Sequence, residues 1–293
     1  MTDSEMKITA LAPWFGGKRT LASKIIEELG PHRAYWEPFC GGMSILLAKP
    51  PTSSETVNDL HGDLINLARC LQDSAVGPSL YRRLRRAMNS QELFNESRAR
   101  CNNTYAASDH LDADRAYDYF LTSWQGMNGV AGTARYNLGF ARRLTKNGGH
   151  GAKRFQSIVE SIPAFRRRLR AVTILSCDGI ELCEKIEDAT GVVIYLDPPY
   201  IVKGASYQHD FTNQDHARLA AAVCRFRHTR VVVSYYDHPS LADLYPGWTV
   251  RPVHMTKSLV SQGRRGVAND TVAPEVLLIN GASFAIPSSF WST

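Results

Sequence analysis

The chain has 293 residues, 44% of them hydrophobic and 21% charged, which is the balance of a soluble globular protein rather than a membrane bundle. Its six cysteines form no CxxC pair and its nine histidines fall in no zinc spacing, so reduced thiols and no metal are expected. A net charge of +6, with a pI of about 9.0, points to an anionic partner.

No apolar run approaches a membrane span, and residues 1–7 carry no basic-then-apolar leader pattern, so a cytoplasmic protein is expected. Trp14-Phe15-Gly16-Gly17-Lys18 comes next. Its glycines expose backbone amides and Lys18 adds a point charge. That suits a carboxylate or phosphate, and equally a plain loop leading into a helix. Residues 18–29 place Leu21, Ile25 and Leu29 on one helical face, and Gly30-Pro31 ends the helix. Residues 34–39 read as a strand, Cys40-Gly41-Gly42 as a tight turn and residues 43–48 as a short apolar helix. In the turn Glu37-Pro38-Phe39-Cys40-Gly41-Gly42 the glycines would let a ligand approach the backbone closely. Residues 56–59 read as a second strand ending in an acid. Asp59 follows Gly42 by 17 residues, where nucleotide-binding α/β folds place a carboxylate for ribose hydroxyls.

From residue 66 to 170 the βαβ rhythm stops. Residues 67–71, 79–88 and 115–124 read as helices, followed by Gln125-Gly126-Met127-Asn128-Gly129 and a basic stretch to His150. Arginines cluster at 82–100 and again at 166–170, which is how solvated helix faces read. A third cluster, Arg135, Arg142, Arg143, Lys146, Lys153 and Arg154, lies largely in a Gly/Asn-rich stretch beside Tyr136 and Phe140, a pattern that fits a phosphate-tracking surface.

The α/β pattern resumes with a strand at 172–175 that runs into Ser176-Cys177-Asp178. Alone, Asp178 is an ordinary strand-end residue; in a sheet that binds adenosine it is placed to accept from an adenine amine. Residues 192–196 form an apolar strand stopped by Asp197-Pro198-Pro199-Tyr200, because successive prolines cannot donate to a ladder. The result is a rigid turn at the strand's carboxyl end, where α/β folds bind ligands. Asp197, the Pro198 carbonyl and the Tyr200 ring there suit a planar amine such as a nucleobase. Residues 216–226 read as a helix, 230–234 as a strand, 248–253 and 275–280 as an edge hairpin, and 283–293 as a loosely packed tail. The fold class is α/β: a Rossmann-like sheet with helices on both faces, formed by residues 1–66 and 171–293, with a mainly helical insertion over 67–170.

Together these segments resemble the Dam-type family of DNA adenine methyltransferases. Trp14 to Lys18 resembles its amino-terminal cofactor motif, Glu37 to Gly42 its methionine-binding turn, Asn58-Asp59 its ribose-binding acid and Asp197-Pro198-Pro199-Tyr200 its catalytic signature. Phe211-Thr212, Ser234-Tyr235, Lys257-Ser258 with Arg264, and Glu275 to Asn280 match further on. The resemblance implies S-adenosylmethionine as methyl donor, S-adenosylhomocysteine as product, no metal, and N6 of a flipped-out adenine in double-stranded DNA as acceptor. It implies catalytic roles for Asp197, Pro198 and Tyr200. Trp14, Lys18, Phe39, Gly41, Gly42, Asp59, Asp178 and Asp197 would hold the cofactor. Asn128, Arg135, Tyr136, Asn137, Arg142, Arg143 and Lys146 would meet DNA. Gly179 departs from the family, which often has an aromatic residue after the adenine-binding aspartate. The spacer 130–134 is longer than the family's, which leaves the recognised sequence open beyond GATC. No Pro-Cys pair of the kind a cytosine-ring methylase needs is present. An RNA or protein-amide methyltransferase, or a non-catalytic DNA-binding regulator with this fold, is the alternative. Orphan or restriction-paired use, and a monomer or weak homodimer, stay open. Arg135→Ala is expected to relax or abolish sequence preference, since a bidentate arginine–guanine pair gives about 1–3 kcal/mol of discrimination. Unchanged specificity in a methylation-protection assay would remove Arg135 from the recognition set.

Overall fold

A seven-stranded sheet in the order β3-β2-β1-β4-β5-β7-β6 organises the computed structural model, which describes residues 10–14, 16–101, 110–126, 139–142, 151–201, 211–256 and 272–285. The strands are β1 (Ala34–Glu37), β2 (Ser54–Asn58), β3 (Thr173–Leu175), β4 (Val192–Leu196), β5 (Arg230–Tyr236), β6 (Thr249–Thr256) and β7 (Val272–Ile279). The first five pair in parallel. β7 enters antiparallel between β5 and β6, so the late hairpin does form and β6 is its edge strand. The strand order reverses between β1 and β4, the mark of a doubly wound sheet.

Period-two alternation explains the layering. On β4, Val193 and Tyr195 face one layer, while Ile194 and Leu196 face the other. A strand buried on both sides needs a continuous apolar run, which is how this segment reads. One layer holds α1 (Ala22–Leu29), α2 (Ser44–Ala48) and α3 (Gly62–Gln72). Upon α3 stand α4 (Val76–Arg86), α6 (Ala113–Gln125) and α8 (Ile162–Leu169), with α5 (Gln91–Arg100) packed on α6 and α7 (Gly151–Glu160) on α4, α6 and α8. The opposite layer holds α9 (Gly179–Lys185), α10 (Asn213–Cys224) and α11 (Ser240–Leu244).

The helix expected over 18–29 is a 3-10 turn, Lys18–Thr20, followed by α1, with Leu21, Ile25 and Leu29 buried as the spacing requires. Gly30 ends it at φ 61°, a conformation that glycine adopts without strain. The helical region sits wholly within the crossover between β2 and β3. Its apolar core is continuous with that under the sheet, through Leu67, Leu71, Phe120 and Phe165. The arginine run at 166–170 is not a plain solvated face. Arg166 donates to the Leu71 carbonyl (3.0 Å), and Arg168 pairs with Glu55 and donates to the Leu46 carbonyl (2.9 Å).

Glu28 pins α1 to the sheet. It is fully buried and accepts from Arg251 (2.7 Å), Arg230 (3.1 Å), the Ser283 hydroxyl (2.5 Å) and the Phe284 amide (3.0 Å). The expected loose tail is therefore held at its start. Glu28→Ala leaves Arg230 without its carboxylate, while Arg251 keeps Glu27. Breaking a buried ion pair costs about 3–5 kcal/mol, so a loss of about 2–3 kcal/mol is expected in urea unfolding, reduced by the partner that Arg251 retains.

Candidate active site

A cleft opens at the carboxyl ends of β1 and β4, where the strand order reverses and open α/β sheets bind their ligands. The loop before α1 contributes Trp14 and Lys18, and the turn after β1 contributes Glu37 to Gly42. Asp59 and His61 come from the end of β2, Gly179 from the start of α9, and Asp197 and Pro199 from the turn after β4, with Phe211 opposite.

The glycines of this cleft make room for the chain's own rings. A Cβ on Gly41, which has φ +43°, would lie 2.7 Å from Trp14 Nε1, and one on Gly42 would lie 2.9 Å from the Ala12 carbonyl oxygen. The sequence reading gave this closeness to a ligand; the structure gives it first to the Trp14 loop. A Cβ on Gly179 would lie 2.6 Å from Phe39 Cε1. Phe39 thus fills the place where an aromatic side chain was missed, and meets Phe211 edge-on at 5.5 Å. Asp59 joins two turns, accepting from the Gly41 amide (2.8 Å) and the His61 amide (2.9 Å). His61, which the sequence reading passed over, packs edge-on to Trp14 at 5.3 Å and caps α3 through the Leu64 amide. Its position two residues after Asp59 was the available signal.

Charge is concentrated at the turn after β4. The buried Lys18 ammonium lies 2.7 Å from the Gly16 carbonyl, 3.0 Å from Asp197 Oδ2 and 3.7 Å from Glu275 Oε1. It also stands 5.0 Å from the centre of the Tyr200 ring. Burial works against its charge, but Asp197 and Glu275 hold its pKa above the ordinary lysine value. Burial raises the pKa of Asp197 against the pull of Lys18, and does the same to Glu275. Glu37 ends β1 inside the cleft, accepting from the Tyr35 hydroxyl (2.9 Å), and burial pushes its pKa up to about 8. Among the described residues, no group of three or more His, Cys, Asp or Glu could hold a metal.

Of the expected site residues, Trp14, Lys18, Phe39, Gly41, Gly42, Asp59 and Asp197 share this cleft. Pro198 is buried and Tyr200 half-buried, and neither is part of the lining; the Tyr200 ring is edge-on to Tyr236 at 4.6 Å. Asp178 is not part of the lining. Its Oδ1 caps α9 through the amides of Ile180 (2.8 Å) and Glu181 (3.0 Å). Arg142 is exposed and bonded to Gln91 (2.6 Å), away from the cleft. Asn128, Arg135, Tyr136, Asn137, Arg143 and Lys146 lie outside the described residues, as do Lys257, Ser258 and Arg264.

Residues 14–258 match the profile of the D12 class N6 adenine-specific DNA methyltransferases. The chain is 26% identical over 272 residues to the retron Ec67 DNA adenine methylase of Escherichia coli, covering 91% of each chain. Among solved structures it is similar to the rRNA methyltransferase aviRa from Streptomyces viridochromogenes (12% identity, TM-score 0.41, 95% of this chain and 90% of that one). It is also similar to a precorrin 8w decarboxylase from Methanobacterium thermoautotrophicum (11% identity, TM-score 0.37, 96% and 100%).

Glu37 generates a pH prediction. Its folded pKa, about 8, is raised above the ordinary 4.5, so its contribution to stability is complete below pH 4.5 and lost as pH rises through about 8. Glu37→Gln removes that dependence. The stability of the variant relative to wild type should therefore rise between pH 5 and 9, by on the order of a few kcal/mol. Thermal unfolding of both proteins across that range checks it, and parallel curves would show that Glu37 is ionised in the folded state.

Proposed function

The chain belongs to the D12 class N6 adenine-specific DNA methyltransferase family, and we propose that it transfers a methyl group from S-adenosylmethionine to the exocyclic amine of an adenine turned out of duplex DNA. One observation carries the site assignment: Asp197 stands in the switch-point cleft, on a proline-locked turn, with Tyr200 beside it.

The cleft fits the donor. Phe39 and Phe211 offer an aromatic wall for a purine, and Asp59 retains lone pairs for ribose hydroxyls. Trp14, Lys18, Gly41 and Gly42 also line the cleft, and Asp178, outside the lining, keeps Oδ2 beyond its helix cap. When bound, S-adenosylmethionine supplies an activated methyl group on a positively charged sulfur. Every other task falls to the chain.

An adenine stacked in a duplex cannot reach a recessed cleft, so it must be extruded, at a cost of a few kcal/mol. Stacking on Tyr200 offsets this by about 1–3 kcal/mol. The amine is a poor nucleophile because its lone pair is delocalised into the ring. Asp197 and the Pro198 carbonyl accept its two N–H bonds, which localises the lone pair and stabilises the positive charge growing on nitrogen. Ionised Asp197 is the stronger acceptor and supplies the negative charge, and Lys18 at 3.0 Å opposes the protonation that burial favours. In-line transfer then requires positioning and no covalent enzyme intermediate. In this reading residues 1–66 and 171–293 carry the transfer. Residues 67–170 hold the DNA target, with Asn128, Arg135, Tyr136, Asn137, Arg142, Arg143 and Lys146 against the duplex. The six cysteines, all free, accord with a cytoplasmic setting.

Asp197→Ala is expected to abolish methyl incorporation into DNA while leaving DNA binding largely intact. Radiolabelled methyl transfer and filter binding, run on the same preparation, check both. Turnover near wild type would remove Asp197 from the chemistry.

A further inference from the structure

Glu275 lies on β7, a strand that no part of the proposed mechanism uses. The four residues after it, Val276 to Ile279, are apolar and buried, as the interior of a sheet requires. Glu275 is itself buried, opposite Tyr236 on β5 and Val253 on β6. The sheet alone gives no reason for a carboxylate there. Its partners do. Oε1 accepts from the Tyr200 hydroxyl at 3.3 Å and lies 3.7 Å from the Lys18 ammonium. Lys18 in turn holds Asp197. Glu275 Oε2 finds no hydrogen-bond partner among the described residues. A buried polar atom kept unsatisfied is more readily explained at a working site than in a passive core.

We propose that Glu275 is a positioning residue for methyl transfer: by holding the Tyr200 hydroxyl and sharing Lys18 with Asp197, it fixes the base-stacking ring and the amine-accepting carboxylate in one frame. The inference rests on the roles of Asp197 and Tyr200 set out above. Glu275 need not touch either the donor or the base. Its effect passes through the tilt of the Tyr200 ring and the direction of the Lys18 ammonium. Small displacements at that distance from the chemistry are costly, since about 1 Å of misplacement can lower a rate about a hundredfold.

The test compares wild type, Glu275→Met and Glu275→Gln in single-turnover methyl transfer to unmethylated plasmid DNA at saturating S-adenosylmethionine. S-Adenosylhomocysteine affinity by calorimetry and the thermal unfolding midpoint are measured alongside. Glu275→Met should slow transfer about thirtyfold while the affinity for S-adenosylhomocysteine stays within about threefold, a split that a general loss of structure would not produce. Glu275→Gln keeps an oxygen acceptor for Tyr200 and should recover the rate to within about fivefold of wild type. A wild-type rate for folded Glu275→Met, or a Glu275→Gln protein as slow as Glu275→Met, would overturn the proposal. If Glu275→Met does not fold, Tyr200→Phe removes the same hydrogen bond from the other side, and an undiminished rate there would overturn it equally. A wild-type protein that transfers no methyl group to DNA above the Asp197→Ala background would sink the site assignment itself, a separate outcome.

Discussion

One buried ammonium ties the site together. Lys18 precedes the first helix, Asp197 follows the fourth strand and Glu275 lies on the last, yet both carboxylates come within 4 Å of the lysine ammonium. Burying each ion costs several kcal/mol, and that cost is recovered only when geometry and hydrogen bonding are good. One lysine facing two carboxylates, with a backbone carbonyl at 2.7 Å, meets that condition for the cation better than for the acids. The acids are left with raised pKa values. The arrangement is therefore poorly suited to stabilising a fold, and it fits the acceptor role proposed for Asp197. The parallel sheet makes this possible by ending β1 and β4 side by side, so that Glu37 and Asp197 face the same cavity.

The cleft walls follow a second rule, set by size. Three glycines mark positions where a Cβ would collide with another part of the same wall. Gly41 and Gly42 admit the Trp14 loop, and the Leu11 amide donates to the Gly42 carbonyl at 2.9 Å, which fastens that loop down. Gly179 admits Phe39, which then turns its ring toward Phe211. An aromatic wall is thus built from one turn after β1 rather than from the turn after β3. The departure at residue 179 and the presence of Phe39 are two sides of one packing solution.

Local signals carried most of the sheet. Residues 192–196 are β4 as read, because an apolar run stopped by two prolines allows little else, and the strands read at 248–253 and 275–280 do pair as the late hairpin. Glu37, Asp59 and Asp197 were placed by strand ends, and the structure brings them to one cleft. What the sequence concealed is nonlocal. Nothing near Glu275 shows that β7 inserts antiparallel beside β5 and delivers a carboxylate to Lys18. Charge counting likewise could not separate Arg167, which is exposed, from Arg166 and Arg168, which tether α8 to the rest of the core. The inward or outward direction of a helical side chain depends on what lies beneath it, here α3 and the turn after it for Arg166, and α2 and β2 for Arg168.

The position of the helical insertion has its own physical logic. It lies in the crossover to β3, an outer strand of the sheet, so it can grow without disturbing the β1/β4 switch point. It is nevertheless fastened firmly. Arg115 on α6 makes a two-pronged pair with Asp63 on α3 (2.5 and 3.0 Å), and Asn66 exchanges two hydrogen bonds with Asp112. At the end of α6, the Trp124 indole donates to the Leu11 carbonyl at 3.1 Å, and the Leu11 amide is the group bonded to Gly42. The segment read as the DNA-recognition loop begins just beyond, after Gln125 and Gly126. Its base is therefore two hydrogen bonds from the turn that lines the cleft. Under the function proposed above, a base turned out of a duplex held by the insertion would need a rigid support of this kind, because its reach is fixed by the length of its backbone.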